Sequence, residues 1–121
     1  MPRSSGTLRK HLSEPWFSLV AVGAKTYEGR LNGNSDLGQL PIGSTVVWYN
    51  EDLGFRREVA TVVTSRSAHK SFAAMLKSKG LGAVLPTVRT VQQGASVYAK
   101  FYSAEREAQS GVLCLGLQLK A

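Results

Sequence analysis

The sequence predicts a β-rich α+β domain, built as a small, partly closed β-barrel of five to six strands with about three helices. Five segments have the composition or alternation of strands, and turn residues separate them. One mostly apolar segment and two amphipathic segments have helical spacing, which places helices over the ends of the barrel. The chain has 121 residues, 43% of them hydrophobic, which suffices for one core. We therefore predict one domain over residues 7–121, preceded by a disordered tail, 1–6.

The first elements of the chain are a strand and a buried helix. Residues 7–12 can form the strand, and Ser13 is a candidate cap for a helix over 16–22. That helix is apolar on nearly all sides, so we expect most of its faces to be buried. Gly23 then supplies the left-handed residue that ends it.

The middle of the chain predicts three strands. Residues 25–31 form the first, and a loop over 32–36 leads into an irregular stretch, 37–44, that contains proline and glycine. Residues 45–50 are β-branched and aromatic, as in a central strand. Residues 55–65 form a long strand that pairs back against it.

The last third predicts two helices and a final strand. A helix capped by Ser71 ends at Gly80, and a second, capped by Thr90, runs to about Tyr102. Residues 103–110 form a turn of helix or a loop. Leucines then alternate with other residues to the end of the chain, which predicts a strand with one strongly apolar face.

Three charges of both signs surround the start of the second strand: Lys25, Glu28 and Arg30. Residues two apart on a strand share a face at a spacing of about 7 Å, so Glu28 and Arg30 should project together. Lys25 has the opposite parity, but it lies at the corner between helix and strand. These residues predict a small polar site; the alternative is a surface ion pair on a solvated strand.

Residues 23–30 read G-x-K-x-x-E-x-R, which resembles the signature of the ASCH family (activating signal cointegrator homology), a branch of the PUA-like fold. The approach to the first helix, 12–17, and the tyrosine-containing segment 97–102 resemble the family too. The resemblance extends over nearly the whole chain. It implies a PUA-like barrel and a ligand cleft lined by the motif.

Some small bacterial ASCH proteins are amidohydrolases that act on acetylated cytidine. They have the lysine, but they carry a threonine where Glu28 stands and a further glutamate before the last helix. The interval 59–104 contains no acidic residue, so the resemblance does not extend to this catalytic set. If the chain were an enzyme, Lys25 and Glu28 would be the catalytic candidates, with Glu28 as a base toward water. We leave the catalytic residues unassigned and lean against an enzyme.

Positive charge is unevenly distributed along the chain. The net charge is +7, from fifteen basic and eight acidic residues. The acid-free interval 59–104 predicts a basic face that attracts polyanions, although charge of one sign can also serve solubility. Its six cations are Arg66, Lys70, Lys77, Lys79, Arg89 and Lys100.

Several other classes of protein are disfavoured. His11 and His69 are far apart, and carboxylates do not cluster, so no metal site is predicted, and no motif points to a cofactor. Cys114 is the only cysteine, which fits a reducing, intracellular compartment, cytoplasmic or nuclear, and a buried, inert thiol. No apolar run is long enough for a membrane span, and residues 1–10 lack an apolar signal segment. We expect a monomer.

These observations favour a domain that binds RNA, or a nucleotide within RNA, through the motif cleft and the basic face. Arg30 offers a fork for a phosphate or a base edge, Lys25 adds a point charge, and Glu28 can orient Arg30 or accept from a base amino group. Aromatic rings that can stack on a base, and further cations, complete the predicted ligand site: Trp16, Tyr98, Tyr102, Arg56 and Lys100. The alternatives are a hydrolase of modified nucleosides and a protein-interaction module of a transcription or translation assembly.

Overall fold

The computed structural model describes residues 6–33 and 36–120. The predicted tail therefore lies outside the described residues except for Gly6, and so do Asn34 and Ser35 of the predicted loop. Five strands and six helices are present in the described part of the chain. In order they are β1 (Thr7–His11), α1 (Trp16–Ala21), β2 (Tyr27–Leu31), α2 (Asp36–Gln39), β3 (Thr45–Asn50), β4 (Arg57–His69), α3 (Phe72–Lys79), α4 (Leu81–Val84), α5 (Val91–Ala99), α6 (Ala104–Ser110) and β5 (Val112–Leu119).

The strands form one sheet in the order β1-β3-β4-β5-β2, which curls into a half-barrel. β1 pairs parallel to β3, and the other neighbours are antiparallel. The predicted fold class is thus confirmed, with five strands. Residues 103–110, predicted as a turn of helix or a loop, form the helix α6. The structure also adds two short helices, α2 and α4, in stretches for which no helix was predicted.

β5 separates two apolar clusters. Leu113, Leu115 and Leu117 face the inside of the half-barrel, where they pack in one cluster with Trp48 and other buried residues. Val112 and Cys114 belong to the second cluster, beneath α3, α4 and α5. The prediction of a single apolar face was therefore incomplete, because both faces of this strand are buried between Val112 and Leu117.

Two predicted helix caps are confirmed, and one is wrong. The side chains of Ser71 and Thr90 accept hydrogen bonds from backbone N–H groups at the starts of α3 and α5. At α1 the N-cap position is Pro15 rather than Ser13. The carboxylate of Glu14 instead accepts from Ser18, at 2.9 Å from its backbone N and 2.6 Å from its Oγ.

The first helix is also more exposed than predicted. Within α1 only Phe17 and Val20 are buried, and Val22, just after it, is 74% exposed. Gly23 has the predicted positive φ, 81°. This residue lets the chain reverse direction, so that α1 is followed at once by the corner that leads into β2.

β4 is longer than predicted, reaching His69 rather than residue 65. Its pairing with β5 shifts register between Val63 and Ser65, where the strand passes Gly116. A Cβ at Gly116 would collide with the Ser65 hydroxyl, so glycine is required for this close approach. The irregularity lets a 13-residue strand bend with the curl of the sheet.

Candidate ligand-binding cleft

The corner between α1 and β2 is fixed by backbone hydrogen bonds. The N–H groups of Ala24 and Lys25 both donate to the carbonyl of Leu19, at 2.9 and 3.0 Å. The N–H of Thr26 then donates to the carbonyl of Ala83 in α4, at 2.9 Å. The corner is thereby held between α1 and α4, which points the Lys25 side chain into the protein.

The ammonium of Lys25 is fully buried and fully bonded. It donates to the carbonyls of Tyr27 (2.7 Å) and Val84 (2.5 Å) and lies 3.3 Å from Oε1 of Glu28. An ammonium has three N–H donors, so these three acceptors use them all. Burial lowers the pKa of Lys25, although the charge of Glu28 opposes this shift. The structure therefore gives Lys25 an internal role and leaves it no donor for the direct ligand contact that the sequence predicted.

Glu28 lies between two cations. Its side chain is 7% exposed, and its second oxygen, Oε2, lies 3.2 Å from Nε and 3.1 Å from Nη2 of Arg30. Burial by itself would raise the pKa of Glu28, but the charges of Lys25 and Arg30 outweigh it and lower the pKa below its ordinary value. The carboxylate is therefore a fixed anion, and a weak base at neutral pH.

Arg30 is the member of the motif that reaches the cleft. Its side chain is 24% exposed. Burial would lower its pKa, but Glu28 raises it, so the guanidinium stays charged. Of its five N–H donors, Glu28 engages two, at Nε and Nη2. The others remain for the Tyr102 hydroxyl beside it and for a ligand. The guanidinium of Arg30 also lies 5.7 Å from the ring centre of Trp48, and this contact helps to orient it.

The cleft beside Arg30 has a volume of about 440 Å³ and lies between the two edge strands of the sheet. β1 and β2 each form a wall, and α1, α5, the end of β3 and the segments that follow β1, α1, α4 and α5 supply the rest. Glu28 is the one acidic residue among the described residues that line it. The lining comprises Arg9, Lys10, His11, Leu12, Ser13, Trp16, Lys25, Glu28, Gly29, Arg30, Tyr49, Leu85, Val97, Tyr98, Phe101 and Tyr102.

Six of the eight predicted ligand residues line this cleft: Lys25, Glu28, Arg30, Trp16, Tyr98 and Tyr102. Two others do not. Arg56 packs on the outer side of Tyr49, with its guanidinium 3.9 Å from the ring centre, and bonds Glu58 at 2.8 Å. Lys100 is exposed just beyond α5.

The three predicted aromatic residues differ in how much of the ring is available. Tyr98 is 6% exposed and stacks on Phe72 at 4.1 Å, so its ring belongs to the core. Its hydroxyl faces the backbone of Gly29 without a well-formed hydrogen bond, and burial raises its pKa. Trp16 and Tyr102 are half-buried, which leaves ring surface for a ligand.

Sequence analysis missed the wall formed by β1. Arg9, Lys10 and His11 line the cleft, and so does Tyr49, whose ring lies 5.6 Å from that of His11 in a T-shaped contact. Lys10 pairs with Asp36 at 3.3 Å. No local signal marks these residues, because their position follows from the strand order. Phe101, at the rim, was missed as well.

Four of the six cations of the acid-free interval lie on the surface, and two are half-buried. Arg66 donates to the carbonyls of Leu37, Gly38 and Leu40, so it holds the α2 segment in place. Lys79 is half-buried, 5.5 Å from the ring centre of Tyr27. The remaining cations of the interval are exposed: Lys70, Lys77, Arg89 and Lys100.

Two further properties of the described residues bear on function. They contain no group of three or more histidine, cysteine or acidic side chains that could hold a metal ion. They also contain no helix long and apolar enough to cross a bilayer. Cys114 is buried, and burial raises the pKa of its thiol to about 11, so the thiolate is disfavoured at neutral pH.

Two solved structures have this fold. The crystal structure of hypothetical protein PH0355 is 27% identical, with a TM-score of 0.82 over 95% of this chain and 99% of that one. The solution NMR structure of protein PF0455 from Pyrococcus furiosus is also 27% identical, with a TM-score of 0.73 over 94% of this chain and 96% of that one. No family model and no curated protein matches the chain.

Proposed function

We propose that this chain is an intracellular domain of the ASCH type, with a PUA-like fold, that binds RNA or a nucleotide within RNA in the cleft beside Arg30. The observation that carries the proposal is the state of the Arg30 guanidinium. Buried Glu28 orients it, Tyr102 lies against it, and Arg30 lines the cleft with N–H donors that Glu28 does not engage. A guanidinium fork held in this way suits a phosphate or the acceptor edge of a base.

The surroundings of Arg30 support an aromatic, anionic ligand. Trp16 and Tyr102 line the cleft and offer ring surface on which a base can stack. Lys10 on β1 adds positive charge within the same cleft. Outside it, the exposed lysines of the interval 59–104 provide a field that attracts a polyanion.

The geometry disfavours the amidohydrolase alternative. Every N–H donor of Lys25 is already bonded within the protein, so it has none for a substrate carbonyl. Glu28 is stabilised as an anion, which makes it a poor general base. Binding requires neither residue to change its protonation state.

The test is a titration of labelled single-stranded RNA against wild type and Arg30→Lys. Lysine keeps a positive charge beside Glu28 but loses the fork, so the variant should fold while losing about 1–3 kcal/mol of binding free energy. Lys70→Ala is the matched control, since Lys70 is exposed and outside the cleft.

Salt dependence gives a second measurement in the same titration. Wild-type affinity should fall as salt rises from about 50 to about 200 mM, because bound cations release condensed counterions. Absence of binding at the lower salt would refute the proposal. Equal losses in Arg30→Lys and Lys70→Ala would show a diffuse basic surface with no special site, and would favour an interaction module whose charge is incidental.

A further inference from the structure

Phe101 is a large hydrophobic residue that is exposed beside the cleft. The side chain follows α5 and is 62% exposed. Among the exposed large hydrophobic residues of the described chain, Phe101 alone lines the cleft. The others lie elsewhere on the surface: Val22, Ile42, Leu53, Phe55 and Leu119.

The position of Phe101 is nevertheless fixed. Its N–H donates to the carbonyl of Tyr98 at 2.9 Å, and the N–H of Tyr102 donates to the same carbonyl at 3.0 Å. The Phe101 ring meets Tyr102 at a tilt of 55°, with 6.5 Å between ring centres. A tilted contact uses the edge of a ring, so a flat face of Phe101 remains open at the rim of the cleft.

The β1 wall of the cleft carries positive charge. Arg9 is exposed on β1, and Lys10 beside it is half-buried, with the exposed carboxylate of Asp36 as its partner. An exposed pair of this kind contributes little free energy, so Lys10 can exchange Asp36 for a phosphate at small cost. Lys10 pairs in register with Trp48 and so projects to the side of the sheet where Arg30 lies, whereas Arg9 projects to the other face, where its charge lowers the pKa of Glu58. The cleft therefore offers the ring face of Phe101 and the cation of Lys10.

We propose that the cleft takes one nucleotide of a single-stranded RNA, and that the neighbouring base stacks on Phe101 while the connecting backbone passes Lys10. This inference rests on the proposed function and specifies its ligand as a strand rather than a free nucleotide. A volume of about 440 Å³ is at the small end for ligand sites. A second base must then lie outside, at the rim, where Phe101 provides a stacking surface.

The experiment compares two probes on the same variants. One probe set is the ribonucleoside 5′-monophosphates, and the other is homopolymeric pentaribonucleotides of adenosine, cytidine and uridine, each titrated calorimetrically. Phe101→Ala should weaken pentanucleotide binding at least about fivefold and leave mononucleotide binding unchanged. Phe101→Leu keeps apolar area but removes the ring, and should behave like Phe101→Ala. Phe55→Ala is the matched control, since Phe55 is 59% exposed and does not line the cleft.

The outcomes separate the two proposals. Wild-type affinity in Phe101→Ala for the pentanucleotides would overturn the stacking role and leave the cleft's function intact. An equal loss for both probes would also overturn it, since Phe101 would then belong to the mononucleotide site itself. A loss in Phe55→Ala as large as that in Phe101→Ala would indicate nonspecific apolar contact. Failure of wild type to bind either probe would overturn both proposals.

Discussion

Replacing Lys25 by methionine tests whether the first cation of the motif is part of the scaffold. Methionine retains most of the apolar stem and removes the ammonium. The change orphans the carbonyls of Tyr27 and Val84 and leaves Arg30 as the nearest counter-charge of Glu28. Each unsatisfied buried carbonyl costs about 1–3 kcal/mol, and breaking a buried ion pair costs about 3–5 kcal/mol.

These costs overlap, because one ammonium satisfies all three groups and Arg30 still neutralises part of the charge. We therefore expect Lys25→Met to lose about 3–5 kcal/mol of unfolding free energy, a large share of the ~5–15 kcal/mol typical of a domain. Urea unfolding monitored by circular dichroism measures it. The exposed residue Lys70 supplies the control, since Lys70→Met should change stability by less than about 0.5 kcal/mol. A loss below about 1 kcal/mol in Lys25→Met would refute the scaffold role and return Lys25 to the ligand candidates.

Two other substitutions test the same region. The lowered pKa of Glu28 means that this carboxylate binds a proton more weakly in the folded state than in the unfolded state. Its charge therefore stabilises the fold above the unfolded pKa of 4.5, and this contribution is lost as pH falls through the folded pKa. The difference in urea stability between wild type and Glu28→Gln should therefore shrink from about pH 6 to about pH 3, and a constant difference would contradict the shift. Gly29→Ala would place a Cβ 2.7 Å from buried Met75, which should cost about 1–3 kcal/mol by overpacking. Gly82→Ala, with open space around it, should cost nothing, and equal melting temperatures for the two variants would argue against the contact.

The local signals in the sequence predicted most of the fold. Capping residues such as Ser71 and Thr90 act through the backbone within one turn, so their positions in α3 and α5 follow from sequence alone. The predicted cap of α1 failed because the helix begins later, with Pro15 at the N-cap position, and the Glu14 carboxylate accepts from the backbone N–H and Oγ of Ser18 in its first turn. Burial of both faces of β5 was missed because it depends on the two layers around a central strand.

The candidate site was predictable along β2 and at three aromatic residues, but not along β1. Strand parity placed Glu28 and Arg30 on one face correctly, since that property is local to the strand. Sequence analysis assigned Lys25 to a ligand because one of its acceptors, the carbonyl of Val84, lies 59 residues away and cannot be predicted from the motif. Arg9 and Lys10 line the cleft only because the curl of the sheet brings one edge strand, β1, toward the other, β2.

The position of the cleft between two sheet edges also determines how its width can vary. Among the described strands, no backbone ladder joins β1 to β2. The gap can therefore open or narrow through small changes of twist between neighbouring strands, without breaking a sheet hydrogen bond. Arg30 and Glu28 move with β2, and Arg9 and Lys10 move with β1. The proposed site can therefore accommodate ligands of different thickness by elastic deformation of the sheet, while the residues on each edge strand stay the same.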